Sequence, residues 1–270
     1  MEIVKRKVVI KESIRIQSKS LEREVLVDIY HPCQPFPQES LSLLLINDGQ
    51  DMEKLGLERM LEDLFEKNSL HPLLCVGIHA GAERKQEYGT AARSDYKGRG
   101  TKAKNYTYFV FNELIPFIRV NYFTGEFSQK AIAGFSLGGL SALDIAWNHP
   151  HEFSKVGIFS GSLWWRTKDK TDETYNDATD RIMHQEIRKA GYYPWLKFFF
   201  ECGAADEEDD RNKNGIIDSI DDTLDLIKEL VEKGYEEKKD IHYLQLDDGK
   251  HDVATWARAM PEFLKWGWGR

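Results

Sequence analysis

Three side chains far apart in the sequence, Ser136, Asp206 and His251, are of the types that carry out nucleophilic acyl chemistry together. Ser136 lies in Gly134-Phe135-Ser136-Leu137-Gly138, a G-x-S-x-G pentapeptide. The apolar run Ala131–Ala133 leads into it, and a helix-like segment from Gly139 to Trp147 follows. In a strand, sharp turn and helix of this kind, the serine hydroxyl is presented on a strained turn. Glycines beside it remove the Cβ atoms that would keep strand and helix apart. A serine hydroxyl is a poor nucleophile near neutral pH, so a histidine must take its proton, and a carboxylate must orient that histidine.

The pentapeptide gains meaning from the order of the other two groups. Asp206 follows the apolar run Leu196–Cys202, in Glu201-Cys202-Gly203-Ala204-Ala205-Asp206. His251 follows Ile241–Leu246, in Asp247-Asp248-Gly249-Lys250-His251-Asp252. Each candidate thus comes just after a strand, where ligands bind in a doubly wound sheet. Ser, Asp, His is the chain order of α/β-hydrolases. Glu207, Glu208, Asp210, Asp247 and Asp248 are acidic rivals of Asp206. A developing oxyanion needs two donors: Leu137 N–H at the helix start, and an N–H of the Asp48-Gly49-Gln50-Asp51 loop, with Gln50 the expected one.

Further residues could line the site. Trp164 and Trp165 follow the strand Val156–Phe159 and read either as a pocket wall or as core. His79 ends another strand on the same edge, where it could touch substrate. Arg84 opens a basic stretch that also holds Lys85, Arg93, Lys97, Arg99, Lys102 and Lys104. Such a cluster would draw in an anionic substrate, or form an ordinary solvated loop. A separate signal is the run from Asp210 to Asp221, with Asp210, Asn212, Asn214, Ile216 (through its carbonyl), Asp218 and Asp221 spaced as calcium ligands around Gly215. The competing reading is a polar turn that caps the next helix.

The elements that must position these groups alternate. Period-2 patterning up to Tyr30 gives an antiparallel β lead-in, closed by a proline-rich loop at 34–38. Strands are read at 41–46, 73–78, 131–133, 156–159, 196–202 and 241–246, the first of them apolar except at Ser42, the pattern of a strand buried on both faces. Helical spacing is read at 57–65, 106–117, 177–190, 220–231 and 253–266, with Pro116 kinking or ending the second. The expected fold is therefore α/β: a mostly parallel doubly wound sheet with N-terminal antiparallel strands, in one domain over 1–270.

Composition narrows the function. With 270 residues, 41% of them hydrophobic, the chain can bury a large core. A formal net charge of -8 argues against a nucleic-acid partner. No apolar run is long enough to span a membrane, and Met1 to Lys7 lacks the apolar core of a signal peptide. Cys33, Cys75 and Cys202 form no close pair, which suits a reduced, cytoplasmic setting.

Leu45-Ile46-Asn47-Asp48-Gly49-Gln50, Gly134-Phe135-Ser136-Leu137-Gly138-Gly139, Phe159-Ser160-Gly161-Ser162-Leu163-Trp164-Trp165 and Gly249-Lys250-His251-Asp252 together resemble the putative-esterase family of α/β-hydrolases. That family includes enterochelin, feruloyl and acetyl-xylan esterases and S-formylglutathione hydrolases. The resemblance runs over nearly the whole chain. It implies a serine carboxylesterase acting on a small-molecule ester with no required cofactor, and leaves open a siderophore, feruloyl or acetylated-sugar ester. The alternative expectation is a non-catalytic ligand- or glycan-binding protein on the same scaffold, with calcium in the 210–221 loop. Oligomeric state is not read from the sequence.

Overall fold

The computed structural model describes residues 8–33, 41–122 and 125–270; the expected proline-rich loop lies outside them. Among the described residues, eight strands form one sheet: β1 (Val9–Ser18), β2 (Arg23–Pro32), β3 (Ser42–Asn47), β4 (Leu73–Ile78), β5 (Lys130–Phe135), β6 (Lys155–Phe159), β7 (Lys197–Ala205) and β8 (Ile241–Lys250). Their spatial order is β1-β2-β4-β3-β5-β6-β7-β8. The pairs β1–β2 and β2–β4 are antiparallel, and all others are parallel. The patterns explain the split. β3, β4 and β6 are buried at every residue, as central strands covered on both faces must be, whereas the edge strand β1 mixes buried and exposed positions.

Helices cover both faces. α1 (Met52–Leu55) and α2 (Leu57–Glu66) follow β3, and α3 (Arg84–Glu87) follows β4. Next come α4 (Ala103–Phe109), α5 (Ile115–Asn121) and α6 (Leu137–Asn148). α7 (Asp177–Asp180), α8 (Ile182–Lys189), α9 (Asp218–Lys233) and α10 (Val253–Trp268) complete the chain. On one face α4, α5, α6, α8 and α9 bury Phe109, Ile118, Leu140, Ile187 and Leu226 against the sheet. On the other, α1, α2 and α10 bury Met52, Leu61, Trp256 and Phe263. Each such side chain contributes about 1.5–3 kcal/mol. Among the described residues no helix is long and apolar enough to cross a membrane.

Two helices depart from the sequence reading. Pro116 neither ends its helix nor breaks the path. A π-helical turn, Val110–Leu114, joins α4 to α5 directly ahead of it. The widened turn accommodates a residue that lacks an N–H and whose ring crowds the preceding turn. The helix expected over 177–190 is cut at Arg181, whose backbone is extended (φ -77°, ψ 112°). Its guanidinium bonds Asp222 at 2.7 Å and Asp225 at 2.6 Å, tying the break to α9.

Candidate active site

The junction of β5 and α6 is built around Ser136, held at φ 54° and ψ -122°, a region that only glycine enters freely. Such a conformation persists only where its surroundings over-determine it. Here they do: Ser136 N–H donates to Phe159 O at 2.8 Å, and its carbonyl accepts from Ser162 N–H at 3.0 Å. The flanking glycines are steric requirements. A Cβ on Gly134 would sit 2.3 Å from the Gly138 carbonyl oxygen, and one on Gly138 would sit 2.6 Å from Asp48 Oδ2. Ser136 is half-buried, and its Oγ lies 3.5 Å from Ser162 Oγ.

The loop after β3 packs on the elbow. Asn47 Nδ2 donates to Gly138 O at 2.8 Å, and Tyr106 Oη donates to Asn47 Oδ1 at 2.6 Å. Asp48 takes a left-handed conformation (φ 63°) and is 2% exposed. Its carboxylate accepts from Arg84 Nε at 2.6 Å, Arg84 Nη2 at 2.7 Å and Gln50 Nε2 at 3.0 Å. Arg84 also reaches Phe135 O at 3.4 Å and lies over the Tyr88 ring. Arg84, expected to bind substrate, is thus a clamp that ties this loop to the end of β5. The Gln50 side chain bridges Asp48 to Ala80 N–H, at 3.0 Å from each.

At the other end of the sheet's carboxyl edge stand Asp206 and His251. β7 and β8 touch backbone to backbone there: a Cβ on Gly203 would meet the Gly249 carbonyl carbon at 2.5 Å and Asp206 Oδ1 at 2.6 Å. That close approach brings the Asp206 carboxyl to the strand that delivers His251. Both Asp206 oxygens are buried without a hydrogen-bond partner. Burial pushes this carboxyl up, opposed by the Ser160 hydroxyl and by His251. His251 is exposed at its rim, with its ring edge-on to Trp256, 5.5 Å away. Partial burial holds the imidazole below the usual histidine value; Asp206 works against this, and the Arg84 charge adds to it. The imidazole is therefore neutral at neutral pH, the form a general base needs.

Trp256 links this end to the elbow. Its ring stacks on Phe135, 4.9 Å away, and its Nε1 donates to Ser160 Oγ at 3.0 Å. Ser136, Asp206 and His251 thus stand at the carboxyl ends of β5, β7 and β8, tied together through Phe135, Trp256 and Ser160. Among the described residues no hydrogen bond joins Ser136 Oγ directly to His251.

Against this geometry the comparisons decide the class. The profile of the family described as "Putative esterase" matches residues 18–266. The chain belongs to that esterase family. A Bacillus subtilis (strain 168) relative, the uncharacterised protein YjcH, is 22% identical over 92% of this chain and 93% of its own length. The iron(III) enterobactin esterase of Dickeya dadantii is 25% identical over 58% of this chain, a match spanning only 34% of that enzyme. The enterobactin esterase of Shigella flexneri, solved with 2,3-dihydroxy-N-benzoylglycine, superposes with a TM-score of 0.69 at 23% identity. That superposition covers 95% of this chain and 58% of the Shigella chain, and it establishes the α/β-hydrolase fold.

The other expected lining and loop residues have partners of their own. Trp165 is not a pocket wall but core, fully buried, with its ring where a Cβ on Gly89 or Gly100 would fall. Its neighbour Trp164 is half-buried, with Arg99 4.8 Å and Arg166 5.8 Å from its ring. His79 is engaged by Asp28 of β2, Nε2 to Oδ2 3.0 Å. In the 210–221 loop, Asp210 accepts from Asn214 N–H at 3.1 Å and Gly215 N–H at 2.9 Å. Asn212 and Asn214 donate to Asp221, and Asn214 Oδ1 accepts from Ile216 N–H. Asp218 is taken up by Lys170 and by Arg211 N–H. Among the described residues no three His, Cys, Asp or Glu side chains gather as a metal site.

Sequence reasoning missed Asp48, Ser160, Glu201 and Trp256. Glu201 was visible as a charged residue directly after the aromatic run Phe198-Phe199-Phe200. Ser160 is a non-glycine at φ 44°, a conformation no sequence pattern announces.

Proposed function

We propose that the chain is a serine carboxylesterase acting through an acyl-enzyme on Ser136. Ser136 Oγ attacks the ester carbonyl while His251 takes its proton. His251 then gives that proton to the departing alcohol, and water, activated in turn by His251, releases the acid. Asp206 orients the imidazole and stabilises it once charged. Leu137 N–H, the first of α6 and without an intrahelical acceptor, and the Gln50 N–H receive the oxyanion. The observation that carries this reading is the strained Ser136 backbone, φ 54° and ψ -122°, at the mouth of α6. In unliganded hydrolases the serine–histidine contact is often long and tightens when substrate binds.

The substrate is a small-molecule ester. The half-buried Trp164 beside Arg99 and Arg166 supports an ester with an aromatic or anionic portion. The relatives named as enterobactin esterases support a siderophore ester over a feruloyl or acetylated-sugar ester. The single continuous sheet supports one domain over 1–270, and three free cysteines suit a cytoplasmic setting. Calcium at the 210–221 loop enters no step. Ser136→Ala should lower hydrolysis of a short-chain p-nitrophenyl ester by ~10⁴-fold or more. A folded variant with undiminished turnover would end this reading.

A further inference from the structure

The acid end of the site holds two carboxyls. Glu201 lies in the middle of the sheet, paired with Phe159 of β6 and Leu244 of β8, and is 1% exposed. Its Oε1 is buried with no partner, and its Oε2 is 3.4 Å from Ser160 Oγ. Asp206, five residues on, also has both oxygens buried and unpartnered. The Ser160 hydroxyl contacts Glu201 and also acts to lower the Asp206 carboxyl. A hydroxyl offers one proton and accepts two. One acceptor site is filled by Trp256 Nε1 at 3.0 Å, so the single Ser160 proton must serve one carboxyl or the other.

The surroundings decide which carboxyl keeps a charge. The charged or titratable groups acting on Glu201 are Cys202 of its own strand, Asp206 just beyond that strand's end, Tyr243 of β8, and Arg258 of α10. Arg258 is engaged by Asp248, at 2.7 and 3.0 Å. None of these forms an ion pair with Glu201. Asp206 faces His251, which becomes a cation during the proposed reaction. Two buried carboxyls that act on each other in this way cannot both ionise cheaply. Burial first, and the Asp206 charge second, push Glu201 up to about 8.

We propose that Glu201 is held as the neutral acid, donating its proton to Ser160 so that the Ser160 proton goes to Asp206, leaving Asp206 as the one charged group behind His251. Every site on the hydroxyl is then used: it accepts from Trp256 and Glu201 and donates to Asp206. Glu201 is a positioning residue and touches no substrate. The same hydroxyl anchors Trp256, against which His251 rests, so the acid, the wall and the base share one atom. This inference rests on the triad reading above.

Two measurements on the full chain test it. The first needs no activity. The neutral acid means that the folded protein keeps a proton that the unfolded chain releases above the ordinary glutamate value. Wild type should therefore lose stability relative to Glu201→Gln as pH rises from about 4.5 to about 8, and the gap should level off beyond that. A gap between the two melting temperatures that does not change with pH would overturn the proposal. The second is kinetic. Glu201→Leu, which removes the donor, should lower kcat about tenfold or more with little change in KM, the size expected for a lost buried donor. Wild type should also lose activity above about pH 8 as Glu201 ionises, and Glu201→Gln, whose amide can donate in its place, should recover most of the Leu variant's loss and remove that decline. Equal losses in both variants, or superimposable pH profiles, would also overturn it. If no ester is cleaved even by wild type, the triad reading fails, and the melting series still decides the protonation of Glu201.

Discussion

Replacing Arg84 with methionine probes the strut that ties the Asp48 loop to the elbow. Asp48 is 2% exposed, and two of its three donors come from Arg84. Removing one partner of a buried pair costs about 3–5 kcal/mol, because the other charge is stranded. The Arg84 side chain is 30% exposed, so water can enter the vacated space. We therefore take a smaller loss, about 2–3 kcal/mol. For a chain of this size that corresponds to a fall in Tm of roughly 4–12 °C. The double variant Asp48→Asn with Arg84→Met should recover most of the loss, since no charge is left stranded and Gln50 can still bond the amide. Arg84→Lys should recover little, because an ammonium cannot span both carboxylate oxygens. Kinetics gives a separate signature. The Arg84 charge helps hold the His251 imidazole down, so its loss should move the acid limb of kcat/KM upward. Thermal unfolding and a pH–rate series on a p-nitrophenyl ester would measure both effects. An Arg84→Met protein melting within about 1 °C of wild type, with an unmoved acid limb, would refute the strut.

Other outcomes follow from the same contacts. In wild type, partial burial disfavours the His251 cation, so kcat/KM should stay on its plateau below the usual histidine range and fall only at lower pH; a midpoint at or above about 6.5 would contradict this. Trp165→Ala should cost about 3–5 kcal/mol in denaturant unfolding, because that ring is fully buried. Trp164→Ala should leave Tm nearly unchanged and raise KM for aromatic esters more than for acetate esters, which a substrate panel would show. Gly134→Ala should prevent the elbow from closing, read as loss of soluble folded protein, because its Cβ would meet backbone at 2.3 Å. Ester hydrolysis should proceed unchanged in chelator, while any calcium bound by the 210–221 loop would register as a rise in Tm lost in Asp210→Ala.

What the sequence made legible and what it hid have different physical origins. Strand and helix positions, the elbow and the Ser-Asp-His order could be read because each leaves a local mark: an apolar run, a glycine pair, a polar group directly after a strand. The role of Trp165 could not, since adjacent residues on an irregular segment carry no periodicity to say which one faces inward. Only the packing of Gly89 and Gly100 against its ring settles that it is core. The tie from Arg84 to Asp48 was hidden for a related reason: the two are 36 residues apart, and a basic residue in a basic stretch looks solvated until its counter-ion is found. Glu201 is the instructive case. In an apolar strand a lone glutamate is either an error of register or a group whose environment keeps it neutral, and the paired strands leave no slip in register between Phe159 and Leu244. The cost of burying that carboxyl is tolerated where it meets a second acid, a strained serine and the tryptophan beside the His251 imidazole, so the strongest local conflict in the sequence lies directly behind the candidate site.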